Sequence, residues 1–473
     1  MIDKIRKNTI WLTLSQGISI IVSLILTLIL ARHLGPRYNG IYNYANAIVG
    51  IFAIFVDFGM STVLIRDIAR DTNLVKKYLD NLISLKIIIG TTILGLIVIT
   101  SFFIKQYSDI TFIMFFLGLY NILSGFYSLF TGVFRSHNVM RYESFNTMIQ
   151  KILMLILGLI SLYYFRSVLY YSISFFISTL IGVIISIIII RKKFIKFSFS
   201  INKDFWKYMV NEMWPFGISA IAVTIYFTVD QILLGSLKPI TQVGYYALAR
   251  SATGVVGSII GIVIGVLFPS LSLLYKKNKS EFENLFNNST KFMSILAAIF
   301  MAEMIVNSKE YVLLIFGYRY YNSITPLILL SIATGIIFIN ALIGNTFGAV
   351  DMQKTLLKGL LIAMVVNIVS NLLLIPKFGV NGSAFSSILT ELFISIYTYP
   401  ILKSKFDIYI LKYISIPILA ALISGGLMLL LIKFNVILIS LIGLATYIIL
   451  LILFKFISIE FIKDTIKLGR VKT

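Results

Sequence analysis

From Pro239 to Tyr275 the chain carries a single charged residue, Arg250. A run of that length exceeds the ~20 apolar residues that cross ~30 Å of hydrocarbon. It folds either inside a very large soluble core or in lipid, and composition decides between them. Of the 473 residues 59% are hydrophobic and 13% charged, with a mean hydropathy of +0.96. Soluble domains are about 45–50% apolar and about 25% charged. The chain therefore reads as an all-α polytopic membrane protein. Barrel strands are excluded, because their residues alternate between apolar and polar, whereas these runs are apolar on every side.

Walking the chain at spanning length gives fourteen candidate helices, from 9–30 through 244–270 to 435–455. Loop charge tests the number. With the N-terminus placed in the cytoplasm, alternate loops and the C-terminus are cytoplasmic too. These regions then hold roughly three-quarters of the 41 Lys and Arg residues, as the positive-inside rule requires. "RKKFIKFSFSINKDFWK" (Arg191–Lys207) and the tail "KDTIKLGRVK" carry much of that charge. The formal charge of +22 is thus a topology signal spread over short loops, and no nucleic-acid partner is expected. The opening segment "MIDKIRKNTIWLTLSQGISIIVSLILTLIL" has the basic start of a signal peptide. Its apolar part is too long for one and no A-x-A site follows, so it reads as a retained first helix.

Cysteine is absent, and the two histidines, His33 and His137, fall in different loops. No metal site or other cofactor is expected. No G-x-x-x-x-G-K-[ST] loop appears, so nothing points to direct ATP use. No nucleophile–base arrangement emerges either, and an enzyme is not expected.

Two stretches match. "LGPRYNGIYNYANA" (Leu34–Ala47) and "LKPITQVGYYALARSA" (Leu237–Ala252) share Leu-x-Pro followed by Gly-x-Tyr-x-x-Ala. They lie six spans apart, an even offset that keeps both copies in one orientation. This is the pattern of a parallel repeat about an axis along the membrane normal. The reading is two six-helix lobes, residues 1–200 and 201–402, joined through the basic stretch 191–210. Two more helices and a basic cytoplasmic tail occupy 403–473. Gly40 and Gly244 would let helices approach closely, and Tyr42 and Tyr246 would suit the headgroup layer.

With the 6+6+2 arrangement, "DQILLGSLKPITQVGYYALA" (Asp230–Ala249), its twin "LARHLGPRYNGIYNYANAI" (Leu30–Ile48) and "FVDFGMSTVLIRDIAR" (Phe55–Arg70), the chain resembles the Wzx-type polysaccharide flippases. These belong to the multidrug/oligosaccharidyl-lipid/polysaccharide (MOP) exporter superfamily. The resemblance runs over nearly the whole chain through loose motifs. It implies translocation of a polyprenyl-diphosphate-linked oligosaccharide across the cell membrane by alternating access, for surface polysaccharide or glycan assembly. It further implies contact with membrane lipids, an H+ or Na+ gradient as energy source, and polysaccharide-assembly enzymes as partners.

Ionisable residues inside spans are costly and are candidates for function. Arg250 sits in the outer part of the eighth span. Its guanidinium suits a diphosphate, to which it bonds in bidentate fashion. Snorkelling to the interface and pairing with Asp230 of the seventh span remain open. The related peptidoglycan-precursor flippases imply the phosphate role for a similar position. Arg32, at the outer end of the first span, is the second candidate for the anionic headgroup. Asp57, Asp230 and Glu391 are the candidate coupling or cavity carboxylates. Asp57 reads as a partner for a basic group near the cytoplasmic face. Glu391, the deepest, reads either as a proton carrier or as satisfied by a neighbour such as Asn367 or Asn371. Glu303 reads as interfacial, and Arg66, Asp67, Arg70 and Asp71 as a solvated loop. Pro215 falls at a span edge, while Pro269 and Pro326 fall nearer helix interiors.

Two rival functions are open. A multidrug or cation exporter of the same superfamily would use the carboxylates, and Arg250 argues against it. A non-transporting scaffold for glycosyltransferases would need no arginine in a wet cavity.

Overall fold

The computed structural model describes residues 2–104 and 109–457; the basic tail beyond them lies outside the described residues. Among the described residues thirteen stretches are long and apolar enough to cross a membrane. The first, Ile10–Arg70, holds two spans. α1 (Ile2–Asp57) is broken at Gly35, whose φ of 77° and ψ of −178° leave the helical region. Only glycine adopts that conformation without strain, and Pro36 behind it starts the second helix, where a missing N–H costs nothing. The fourteen expected spans are thereby accounted for. A short amphipathic helix, α2 (Met60–Arg70), continues the second span.

The remaining helices follow in order. They are α3 (Val75–Phe102), α4 (Ile110–Ser136), α5 (Met140–Ile160), α6 (Val168–Lys193), α7 (Lys203–Leu237) and α8 (Ile240–Lys277). Then come α9 (Lys279–Phe316), α10 (Ile324–Ala349), α11 (Gln353–Phe378), α12 (Val380–Lys403), α13 (Ile410–Leu430) and α14 (Val436–Leu453). Local chemistry sets several starts. Asn202 Oδ1 accepts from the Phe205 N–H at 2.9 Å, and Asn435 Oδ1 from the Ile437 N–H at 2.8 Å. Asn278 Oδ1 accepts from Ser280 and Glu281. Each satisfies orphan donors of a first turn.

Helices α8 and α9 have 38 residues each, or ~57 Å at the helical rise, well beyond the hydrocarbon. Their meeting ends, "YKK" and "KSEFENL", are charged and continue the helices into water. The apolar spans 244–270 and 288–307 thus understate the helices. Pro215 accordingly lies inside α7, while Pro326 falls in the first turn of α10.

The chain divides into two compact units, Met1–Ala247 and Leu248–Thr473. In the first, α1 packs on α4, α5 and α7, and α4 packs on α3 and α6. One apolar core gathers Leu64, Leu79, Phe130, Phe134, Phe205 and Met209. In the second, α12 packs between α10 and α11, and α9 packs between α10 and α13. Its main core includes Phe282, Phe286, Phe338 and Phe347.

Burial is inverted relative to a water-soluble bundle. On α6, Ser172, Ser174, Ser178, Thr179 and Ser186 are buried while Ile177, Ile184 and Ile188 are exposed. Small polar residues face neighbouring helices and large aliphatics face outward, as lipid surroundings require. Asn146 on α5 donates to the Gly182 carbonyl and to Ser186 Oγ, both at 2.8 Å. Gln150 donates to Thr179 at 2.8 Å.

The connector before α7 is pinned to the start of α3. The Ser198 N–H donates to Asp80 Oδ1 at 2.5 Å, and the Asn202 N–H to Asn81 Oδ1 at 3.0 Å. Trp206 Nε1 donates to the Asn81 carbonyl at 3.2 Å.

Candidate functional site: charged groups within the two units

Within the first unit the two repeat copies lie against each other. A Cβ on Gly40 would collide with the Ile240 carbonyl, and one on Gly244 with the Pro36 carbonyl. Each glycine thus faces the carbonyl four residues before the other. Asn39 Nδ2 seals the contact by donating to the Gly244 carbonyl at 3.2 Å. Tyr246 is buried and donates to Asp230 at 2.6 Å. Tyr42 packs edge-on to Tyr171, with ring centroids 5.1 Å apart.

Asp230 is buried on α7, where the Tyr246 hydroxyl answers it. Arg250 is half-buried on α8 and belongs to the second unit. Arg32 is exposed near the end of the first helix of α1, and neighbouring His33 meets the edge of Tyr163 with centroids 4.3 Å apart.

Asp57 ends α1 and accepts from Lys86 Nζ at 2.5 Å and from Ser61 Oγ at 2.6 Å. Ser128 Oγ donates to Ser61 Oγ at 3.0 Å. Lys86, well inside α3, is fully buried and also donates to the Gly125 carbonyl at 3.0 Å. This lysine carried no distinguishing sequence signal. It falls at the inner end of a span, where interfacial lysine is ordinary.

The stretch Arg66–Asp71 is not simply solvated, because Asp67 is buried at the hub of a network. Tyr78 and Tyr208 donate to its Oδ2 at 2.5 and 2.9 Å. Arg66 bonds Asp67 and also Glu212, each at 2.7 Å. The network ties α2, α3 and α7 together at one end of the unit. Its partners lie far apart in sequence, so reading residues 66–71 alone could not reveal it.

In the second unit Glu391 is 3% exposed. Asn340 of α10 donates from Nδ2 to Glu391 Oε2 at 2.8 Å. Ser395 Oγ donates to Asn340 Oδ1 at 2.7 Å, fixing the amide. Asn367 donates to Thr390 Oγ1 at 3.2 Å. α12 lies between two helices, and sequence alone does not say which of them Glu391 faces. Glu303 accepts from Asn307 at 3.0 Å and Tyr311 at 3.1 Å, and these reach Ser440 of α14. It is therefore a helix-tying residue rather than a bare interfacial one.

Among the described residues the chain is helical and multi-pass, with a buried lysine paired to a carboxylate in the first unit and a buried, hydrogen-bonded carboxylate in the second. Residues 5–275 match the model of the polysaccharide biosynthesis protein family, and the chain belongs to that family. Its likeness to the polysaccharide flippases of the MOP superfamily is borne out. The chain is 25% identical over 366 residues to a Haloferax volcanii protein named "probable low-salt glycan biosynthesis flippase", covering 76% of this chain and 75% of that one. It is 23% identical over 407 residues to the capsular polysaccharide biosynthesis protein CapF of Staphylococcus aureus, covering 83% and 98%. Among solved structures, the lipid II flippase MurJ in an inward closed conformation superposes with a TM-score of 0.80. That match has 16% identity and covers 93% of this chain and 98% of that one. An inward-facing multidrug resistance transporter of the MATE family gives 0.68 at 14% identity, covering 85% and 98%. At such identities the structural likeness is one of fold.

Proposed function

We propose that the protein is a flippase that moves a polyprenyl-diphosphate-linked oligosaccharide across the cytoplasmic membrane, for surface polysaccharide or glycan assembly. The carrying observation is Arg250, the one charge between Lys238 and Lys276, half-buried on α8. Placing a cation in an apolar span is costly, and an anionic diphosphate is the ligand that recovers that cost through bidentate bonds. Arg32 adds a second cation for the same headgroup. The family match and the names of the two relatives support glycan traffic over drug export.

In this reading residues 1–200 and 201–402 are two lobes that expose the headgroup alternately to each side, with 403–473 as accessory helices. Both termini are cytoplasmic. The polyprenyl tail stays in lipid, and no covalent chemistry or cofactor is involved. An H+ or Na+ gradient drives the cycle through Glu391, Asp57 or Asp230, and polysaccharide-assembly enzymes supply and receive the substrate.

The test is translocation in proteoliposomes by Arg250→Ala and Arg250→Lys. We expect at least tenfold slower transport in the alanine variant and partial retention in the lysine variant, because lysine keeps the charge without the fork. Equal rates in all three proteins would remove Arg250 from the mechanism. Glu391→Gln keeps an acceptor for Asn340, so folding should be unchanged. If Glu391 carries the coupling ion, its transport should lose dependence on the gradient; unchanged dependence would exclude it.

A further inference from the structure

At one end of the first unit, a pocket of about 240 Å³ is lined by Arg37, Tyr38, Asp109, Arg166 and Ser167 over an apolar floor that includes Ile113. Three separate parts of the chain build it. Arg37 comes just after the Gly35 break in α1. Asp109 precedes α4, and Arg166 and Ser167 precede α6. Neither arginine has a carboxylate within 4 Å among the described residues, and Asp109 is the one acid on the pocket wall. The two guanidiniums therefore leave the pocket positive despite Asp109. The starts of α4 and α6 add the partial positive charge of helix N-termini. The Ser167 hydroxyl accepts from the Leu169 N–H at 3.2 Å and keeps its own O–H as a donor beside the arginines.

Two planar donor forks on the wall of one small cavity suit the tetrahedral oxyanion of a phosphate ester, which takes bidentate bonds from guanidinium. Snorkelling arginines reach outward singly from helix ends. These two instead line one concavity from different connections. The geometry points to a phosphate-binding site formed by Arg37 and Arg166. Its ligand is a phosphate ester, brought either on a membrane lipid headgroup or on a soluble phosphate compound. The inference concerns binding alone and stands apart from the transport reading.

The experiment compares the full-length protein with an Arg37→Gln/Arg166→Gln variant. Both residues are exposed, so the exchange should leave the fold intact, with unliganded thermal unfolding in detergent as the check. In one arm inorganic pyrophosphate is titrated into protein in an uncharged detergent. In the other, unfolding is followed in nanodiscs of zwitterionic lipid with and without phosphatidylglycerol. We expect ligand-linked stabilisation of the unaltered protein, growing with concentration as binding to the native state requires, and at least tenfold weaker binding by the variant. A difference confined to the pyrophosphate arm identifies a soluble phosphate ligand, and one confined to the nanodisc arm identifies a lipid headgroup. If the two proteins respond alike in both arms, the site does not exist.

Discussion

Gly244→Ala is expected to leave little folded protein. A Cβ at this position meets the Pro36 carbonyl and Cα directly, and these are backbone atoms at a helix start that cannot swing aside. The helices would have to separate, breaking the Asn39–Gly244 hydrogen bond and the packing of Tyr44 on Gly235. Overpacking usually costs about 1–3 kcal/mol. A backbone-to-backbone clash belongs at or above the top of that range, so we expect ~3 kcal/mol or more. Gly40→Ala, which meets the Ile240 carbonyl, should behave the same way. Gly50→Ala in the same helix as Gly40 has open space around it. It should be neutral or stabilising by ~0.5–1 kcal/mol, because alanine favours the helix. Thermal unfolding of the purified variants checks this. Equal stability of Gly50→Ala and Gly244→Ala would refute the close contact.

The second large effect concerns the buried ion pair. Lys86 is fully buried, whereas the Asp57 side chain is 32% exposed and retains Ser61. Removing either partner leaves a charge uncompensated, which costs ~3–5 kcal/mol when that charge is buried. The two halves should not be equal. Asp57→Asn leaves the buried ammonium with two neutral acceptors, the amide oxygen and the Gly125 carbonyl, and no counter-charge, and should be the worse. Lys86→Met strands a carboxylate that water partly reaches, and should be milder. The double variant removes both charges and should recover much of the loss, because a well-packed neutral pair is often no worse than a buried ionic one. Unfolding temperatures of the three variants decide it. Strictly additive losses would show that the two groups do not act on each other.

These two features mark how far the residues could be read in advance. The helical membrane architecture follows from apolar runs that only lipid accommodates, with loop charge fixing their number. That Gly40 and Gly244 sit at close helix contacts was legible, because small residues in spans imply close approach; that they meet one another came from the fold. Lys86 was not legible, since its burial depends on Asp57 arriving from another helix. The partner of Tyr246 was hidden for a related reason, since only the fold brings Asp230 to its hydroxyl. For Glu391 the depth was readable, but Asn340 as a neighbour was not. The helical period gives a face, and tertiary packing brings α10 to it.

The most direct measurement of the central claim uses the unaltered protein in proteoliposomes. A fluorescent polyprenyl-diphosphate oligosaccharide is placed in both leaflets, and its accessibility to an external quencher is followed with and without an imposed ion gradient. Protein-dependent movement of the labelled headgroup between leaflets, absent from empty liposomes, is the predicted result. No movement above the empty-liposome rate under any gradient, with export of a lipophilic cation from the same vesicles, would contradict it.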